Sequence, residues 1–329
     1  MKGLFIKLCF FTAYYVGIIN LFYLFTSKRQ RVVTFHNVIP DNYFYNSIEQ
    51  GVSCTETVFK VQLKEIAKKF EFTTEINKKN SCMITFDDGY LNNYTIAIPI
   101  LEINNIKAVF FITYDLAVKS EVIWIDLIMK WYSYVPEGRY SIIGKELNIL
   151  KENRKEVFNQ ILVEIYNDYS LRNKVLADLE QAFSFTRLTI NDNYNRLRFC
   201  PISLINIEKM KINNHLVASH TISHDILSNL SDKSLNDDIK ESESYLFDFY
   251  NTNYFAYPFG GVKEVSKKVL KKYSESKFNY CFVNYWNFFG SSKDESVQRI
   301  TLPNTENKYV IHAYLSGFYF FFKRKVNHV

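Results

Sequence analysis

The sequence predicts an α/β fold built on a mainly parallel sheet. Short runs rich in β-branched and aromatic residues alternate with longer segments whose apolar residues recur at helical spacing, which is typical of β–α units. The 329 residues, 47% of them hydrophobic, are enough to bury one large core or two smaller ones. Several predicted strands end in His, Asp or Gly, and the carboxyl ends of parallel strands share one edge of a sheet.

The first 30 residues stand apart from this pattern. Residues 8–27 carry no charge, with Lys7 before them and Lys28 and Arg29 directly after them. About 20 apolar residues are enough to span a bilayer, and no small-residue cleavage site of a removable signal peptide follows. We therefore expect residues 1–30 to associate with a membrane, as a spanning anchor or as a helix lying in the interface. The larger basic flank on the C-terminal side slightly favours a cytoplasmic position for the rest of the chain.

The α/β alternation runs over residues 31–304. Predicted strands lie, in chain order, at 31–36, 81–86, 107–113, 216–219, 254–259 and 279–284. The intervening predicted helices lie at 55–70, 92–105, 234–250 and 263–275. Residues 125–200 interrupt the alternation, and because they are polar and lack clear buried strands they predict a helical insertion. An aromatic and basic segment follows at 305–329.

Charge and cysteine content exclude several classes of function. The net charge of +6 is modest for 40 basic and 34 acidic residues, and no long basic block occurs in the body of the chain. Nucleic-acid binding is therefore not expected. The five cysteines are scattered and form no CxxC pair, which argues against a disulfide framework and against a cysteine zinc site.

Four predicted strands end in residues that carry chemistry: His36, the pair Asp87 and Asp88, His220 followed by His224, and a turn at 258–260. Alone, either aspartate could cap a helix and the histidines could be an exposed pair. Together, two histidines four apart and a carboxylate from another strand form a three-ligand set with positions left for water, which is typical of a catalytic zinc. With Asp88 as a ligand, Asp87 stays free beside it and can serve as a general base. Gly89 supplies the turn that lets neighbouring carboxylates converge on one site.

Three motifs carry a family resemblance. "TFDDG" (85–89), "HTISH" (220–224) and "FAYPFG" (255–260), in that order, resemble the first three motifs of the polysaccharide deacetylases, also called carbohydrate esterase family four or the NodB homology domain. The resemblance extends to "TFHNVIP" near the start of the α/β region and "RITLPN" near its end. It implies a distorted (β/α) barrel and the hydrolysis of N-acetyl groups from amino-sugar polymers.

The resemblance also assigns roles to residues. It implies a divalent metal, with Zn²⁺ the first choice among the several ions that a two-histidine, one-carboxylate site accepts. The implied roles are Asp87 as the base, the backbone N–H near Phe259 as an oxyanion donor, and Asp88, His220 and His224 as the metal ligands. The implied partner is an N-acetylated glycan or polysaccharide.

The sequence departs from the family pattern at two places. The third motif of the family begins with an arginine that orients the base, and Ala256 stands there instead, so either another cation orients Asp87 or the base is held less tightly. The late Leu-x-His motif that supplies the acid is not evident. One exopolysaccharide-type branch has a histidine at the end of an early strand, so we expect His36 to be the general acid, with His312 as the rival. His215 is expected in polar, solvated surroundings.

Two other functions stay open at this point. The missing arginine is compatible with a catalytically impaired carbohydrate-binding module of the same fold. The ligand pattern is also compatible with a metal-dependent amidohydrolase acting on small amides.

Overall fold

The computed structural model describes residues 2–45, 52–182, 193–287 and 296–326. Its strands are β1 (Arg31–Phe35), β2 (Asn37–Ile39), β3 (Ser53–Thr55), β4 (Glu71–Phe72), β5 (Ser81–Phe86), β6 (Val109–Ile112), β7 (Gly138–Ile142), β8 (Lys145–Ile149), β9 (Leu216–Ser219), β10 (Tyr254–Ala256), β11 (Tyr280–Val283), β12 (Val297–Gln298) and β13 (Ile300–Thr301).

The strands alternate with fifteen described helices. They are α1 (Lys2–Tyr15), α2 (Ile18–Phe25), α3 (Asp41–Tyr45), α4 (Glu56–Ala67), α5 (Ile98–Ile103), α6 (Tyr114–Val118), α7 (Trp124–Tyr134), α8 (Arg154–Asn167), α9 (Leu171–Ala182), α10 (Asn193–Phe199), α11 (Leu204–Ile212), α12 (Asp232–Ser244), α13 (Lys267–Ser274), α14 (Lys308–Leu315) and α15 (Phe318–Val326). A π-helical turn at Asn93–Ala97 precedes α5, and a 3-10 turn at Leu227–Asn229 precedes α12.

Parallel strands form a nearly closed barrel. Hydrogen-bonded neighbours follow the order β13, β1, β5, β6, β9, β10, β11, β12. The two ends of this series, β12 and β13, are consecutive in the chain and are separated only by Arg299, so one stretch pairs first with β11 and then with β1. This arrangement confirms the predicted distorted (β/α) barrel.

Side chains of the barrel strands alternate between its interior and its outer surface, as the two-residue period of a strand requires. The interior cluster consists of strand residues: Val32, Met83, Val109, Phe111, Ala218, Ala256 and Phe282. Their neighbours, such as Val33, Ile84 and Phe110, pack outward under the helices. In β5 the inward positions Met83 and Thr85 are followed two residues later by Asp87, so the same alternation directs Asp87 into the mouth of the barrel.

The described residues of the segment 125–200, which are 125–182 and 193–200, form a helical layer with its own core and one hairpin. Helices α7, α8 and α9 enclose buried residues such as Trp131, Ile161 and Leu179. Strands β7 and β8 pair antiparallel from Gly138 opposite Ile149 to Ile142 opposite Lys145. The sequence did not predict this hairpin, because most of its side chains are partly or fully exposed and polar.

Helices α1 and α2 pack against α14 and α15 on the outside of the barrel. Among the described helices, none alone has the length and hydropathy needed to cross a bilayer. The stretches Ile6–Tyr15 and Ile18–Phe25 meet those criteria only as a pair, and the pair is bent by 80° at Gly17.

Candidate active site

A left-handed turn after β5 lets the two neighbouring aspartates serve one site. Asp88 has φ 78° and Gly89 has φ 99°, and the N–H of Asp87 still donates to the carbonyl of Phe35 at 3.0 Å, as in the strand. A Cβ atom on Gly89 would lie 2.9 Å from Cγ2 of Ile112, so both the backbone conformation and the space require glycine. Without this turn, Asp87 and Asp88 would point to opposite faces of the sheet.

Asp88, His220 and His224 converge in a buried group that can hold a metal ion. Oδ1 of Asp88 lies 3.6 Å from Nε2 of His220 and 3.3 Å from Nε2 of His224, and the three ligand atoms all lie within 4.8 Å of one another. Oδ1 of Asp88 has no hydrogen-bond partner among the described residues although it is buried. A buried carboxylate oxygen without a hydrogen-bond donor is costly, and a divalent cation would satisfy it. The residues therefore fit a two-histidine, one-carboxylate metal site.

Contacts around the histidines fix their orientation. Nδ1 of His220 donates to the carbonyl of Ala256 at 2.8 Å, which leaves Nε2 unprotonated and facing Asp88. The carbonyl of His224 accepts a hydrogen bond from Nε1 of Trp124 at 3.1 Å. Between the two histidines, the N–H of Ile222 donates to a carboxylate oxygen of Asp238 at 3.2 Å, which ties the loop to α12.

The protonation states suit metal binding. Burial lowers the pKa of His220 to about 4, so its imidazole is neutral at neutral pH, as a ligand must be. Burial alone would raise the pKa of Asp88, but the close imidazole of His224, with those of His36 and His220, outweighs burial and lowers this pKa well below its ordinary value.

Asp87 is paired with an arginine from the closing strand of the barrel. Nη1 of Arg299 donates to Oδ1 of Asp87 at 2.6 Å and to Oγ1 of Thr34 at 3.2 Å, and both charged side chains are buried. Burial raises the pKa of Asp87, but Arg299, followed by His220 and His36, more than offsets this effect and lowers the pKa. Arg299 therefore keeps Asp87 ionised and fixes its position.

His36 follows β1 and faces Asp87 from the opposite side. Its Nε2 lies 3.7 Å from Oδ2 of Asp87, and 15% of its side chain is exposed, so it borders the barrel mouth. Its carbonyl accepts a hydrogen bond from Nδ2 of Asn93 at 2.6 Å. The rival histidine, His312, lies in α14 outside this group.

His312 has partners of its own. Its Nε2 lies 3.1 Å from Oε2 of Glu65, and its Nδ1 lies 2.7 Å from the hydroxyl of Tyr23. Both ring nitrogens of His312 are thus occupied by contacts that hold α14 against α4 and α2. The structure gives His312 a packing role.

Phe259 lies beside the histidine pair on a turn with φ 60°. Its ring centroid lies 5.1 Å from that of His224 and 5.9 Å from that of Trp124. Within the described part of the chain its N–H has no hydrogen-bond partner, so it is free to donate to a substrate oxygen.

Comparisons with known proteins agree with this geometry. The sequence model of the family described as polysaccharide deacetylase matches residues 74–139 and 186–276, which include both aspartates, both histidines and Phe259. The chain belongs to the polysaccharide deacetylase family. As a member it is a hydrolase of carbon–nitrogen bonds other than peptide bonds. No curated protein sequence matches the chain.

Solved structures of low sequence identity share the fold. The deacetylase PplD of Streptococcus pyogenes, solved with acetate, is 14% identical with a TM-score of 0.53, over 86% of this chain and 96% of that one. IcaB from Ammonifex degensii is 16% identical with a TM-score of 0.51, over 87% of this chain and 97% of that one. The polysaccharide deacetylase BC0361 from Bacillus cereus is 14% identical with a TM-score of 0.52, over 87% of this chain and 68% of that one.

Two residues of the site lie outside the part matched by the family model. His36 precedes it and Arg299 follows it. Arg299 approaches Asp87 from the link between β12 and β13. Ala256 occupies the usual place of the family arginine and lies in the barrel interior. "RITLPN" contains Arg299, but its pairing with a residue 212 positions earlier gives no local signal.

The insertion also contributes to the surroundings of the site. Arg198 of α10 and Asp126 of α7 form a buried ion pair, with Nη2 2.8 Å from Oδ1. Burial raises the pKa of Asp126, Arg198 lowers it, and the charges of Asp88 and His224 are close enough to affect it. Sequence reasoning missed this pair, because its two residues lie 72 positions apart and no local pattern connects them.

A cleft of about 330 Å³ lies next to the histidine loop. Its wall combines carboxylates, a cation, a hydroxyl and an indole, and includes Asp115, Glu121, Trp124, Arg172 and Ser223. Arg172 belongs to α9, so the insertion closes one side of the cleft.

Proposed function

We propose that this deacetylase removes N-acetyl groups from the amino sugars of a polysaccharide, with the help of a bound divalent ion, and releases acetate. One observation carries the proposal: an ionised carboxylate, Asp87, is held by a buried arginine directly beside a buried Asp-His-His group. A merely structural metal site has no use for a second carboxylate kept free of the metal.

Asp88, His220 and His224 would hold the ion, and Zn²⁺ suits their nitrogen and oxygen donors, as do several other divalent ions. When bound, the ion supplies Lewis-acid activation of the acetamide and of water.

Asp87 accepts a proton from the attacking water while the water oxygen bonds to the acetamide carbonyl carbon. The free N–H of Phe259 donates to the carbonyl oxygen as it becomes negative, a contribution of about 3 kcal/mol for one such donor. His36, on the other side of Asp87, gives its proton to the amine nitrogen as the C–N bond breaks. The products are acetate and a free amino sugar.

The two rival functions have lost part of their support. The hypothesis of an impaired binding module depended on the missing arginine of the third motif. Arg299 forms the corresponding ion pair with Asp87. Against a small-amide substrate, the cleft beside the histidine loop gives room for a neighbouring sugar of a polymer.

Acetate release from a panel of N-acetylated substrates tests the proposal. The panel contains oligomers and polymers of N-acetylglucosamine, N-acetylgalactosamine polymers and simple acetamides, each assayed as purified, after chelation, and after adding back Zn²⁺ or Co²⁺. We expect metal-restored acetate release from a glycan and none from Asp87→Asn. Release from simple acetamides alone would favour the small-amide function, and glycan binding without any acetate release would favour the impaired module.

A further inference from the structure

The exposed surface of α1 and α2 is mainly apolar, with Lys7, Thr12 and Asn20 as its polar exceptions. Exposed large hydrophobic residues recur on it: Leu8, Phe11 and Tyr15 on α1, Val16 in the turn after it, and Ile18, Leu21, Leu24 and Phe25 on α2. We call these eight residues the terminal apolar face. Leu24 is 69% and Phe25 is 78% exposed. A contiguous group of this kind is uncommon on a soluble surface and indicates an interaction site.

The opposite surface of the same helices is part of the folded body. Phe10 and Ile19 are buried in one cluster with Val310 and Ala313 of α14. After α2, Thr26 is buried and accepts hydrogen bonds from the guanidinium of Arg31. The helix pair is therefore fixed to the barrel, and the terminal apolar face is what remains uncovered.

Neither helix alone is as long as a bilayer core is thick. At 1.5 Å per residue, the 14-residue α1 is about 21 Å long and the 8-residue α2 about 12 Å, whereas the hydrocarbon core is about 30 Å thick. The axes of the two helices differ by 80°, so together they reach less far than the sum of their lengths. A helix pair lying flat in one leaflet fits these dimensions.

The charges around the face favour an anionic lipid surface over a protein partner. Helices α1, α2, α14 and α15 contain no Asp or Glu. Three lysines are exposed on or beside these helices: Lys7 within α1, Lys28 just after α2, and Lys323 within α15. A second copy of the chain would bring basic residues against basic residues in a two-fold interface, whereas anionic headgroups neutralise them.

We propose that the terminal apolar face enters one leaflet of an anionic membrane, with the flanking lysines at the headgroups. The chain docks on the membrane without crossing it. Because α2 ends beside the amino end of β1, whereas the catalytic groups follow the carboxyl ends of the strands, docking through this end of α2 leaves the barrel mouth uncovered.

Flotation of the full chain with lipid vesicles tests the proposal. The vesicles consist of equal parts phosphatidylglycerol and phosphatidylcholine, with phosphatidylcholine alone for comparison. We expect the chain to float with the mixed vesicles, less with the neutral ones. Leu21→Glu and Phe25→Glu should each lower the partition coefficient roughly tenfold or more, because a carboxylate replaces an apolar side chain that enters the lipid.

Matched controls come from equally exposed apolar residues elsewhere. Val262 and Ile212 are 74% and 76% exposed, so Val262→Glu and Ile212→Glu add the same charge away from the face and should float like the wild type. Deleting residues 1–30 is a poorer test, because it uncovers Val310 and Ala313 and removes Thr26 from Arg31. Acetate release from a soluble substrate, or circular dichroism if no substrate is found, checks the folding of every variant independently of membrane binding.

Three results would overturn the proposal. The first is a full chain that floats with neither kind of vesicle. The second is equal loss of flotation in the face variants and in the controls. The third is a dimer in solution that Leu21→Glu converts to a monomer without any vesicle binding, which would assign the face to a second copy of the chain.

Discussion

Replacing Arg299 by methionine should move the acidic limb of the pH dependence of kcat/KM toward neutral pH. Asp87 acts as a base only when it is ionised. Arg299 is the strongest of the groups that lower its pKa, and burial, which raises the pKa, stays in the variant. The pKa of Asp87 must therefore rise, and the active carboxylate is lost at a higher pH than in the wild type.

The structure sets the size of the effect. Two unit charges 2.6 Å apart attract by about 6 kcal/mol at an effective dielectric constant of about 20. Part of that attraction offsets the cost of burying both groups, and removing one partner of a buried ion pair destabilises a protein by about 3–5 kcal/mol. We expect Arg299→Met to lose this much stability at neutral pH and, because the base is also released from its position, to lose kcat/KM by roughly a hundredfold or more.

The assay measures acetate release between about pH 4 and about pH 9, in steps of about one pH unit. Metal content is measured in parallel. Arg31→Met is the matched control, because Arg31 is also fully buried but contacts the backbone of Leu315 and the residue Thr26 instead of Asp87. The control should lose stability and keep its acidic limb. Arg299→Lys should keep most of the low pKa with a reduced kcat. An unmoved acidic limb in Arg299→Met, with full metal content, would refute the role assigned to Arg299.

Three further predictions concern the same molecule. Asp87→Asn should keep the metal and lose activity, whereas Asp88→Asn should lose both, as measured by mass spectrometry of bound metal and by acetate release; equal metal loss in both would contradict the division of labour. His36→Ala should keep the metal and lose roughly 10²–10⁴-fold in rate, whereas His312→Ala should lower the melting temperature with little change in rate per folded molecule; the reverse pattern would make His312 the acid. Burial raises the pKa of Asp238 from its ordinary value of 3.8 to about 7, so the wild type loses stability as the pH rises from 3.8 to about 7. Across that range, the melting temperature of Asp238→Asn should rise relative to that of the wild type. A difference in melting temperature that does not depend on pH would contradict this prediction.

Local patterns predicted the α/β fold and the grouping of the main site residues, and the family resemblance implied the barrel. The two-residue alternation in β5 directs Asp87 inward, and the spacing of His220 and His224 allows them to meet one carboxylate. Their functional roles stay predictions. Arg299 could not be assigned in this way, because its approach to Asp87 depends on closure of the barrel by the last strand.

Other parts of the molecule needed the structure for different reasons. The expectation of a solvated His215 was wrong: it is fully buried, Nδ1 accepts the N–H of Ala108 at 3.2 Å, and burial lowers its pKa to about 4. The preceding residues Asn213 and Asn214 suggested an exposed loop, whereas the side chain of His215 is buried beneath β9 and β6. The hairpin of the insertion escaped notice because its exposed strands lack a buried apolar face.

The position of Arg299 between β12 and β13 has a consequence for how activity arises during synthesis. The proposed ligands, base and acid all precede it in the chain, so a growing chain can contain all of these side chains while Asp87 still lacks a counter-ion. Only when the closing stretch has inserted between β11 and β1 does Asp87 gain its cation. Completion of the barrel and the pairing of Asp87 with its cation thus depend on the same stretch, and a chain interrupted before it would carry the motifs of the family without Arg299.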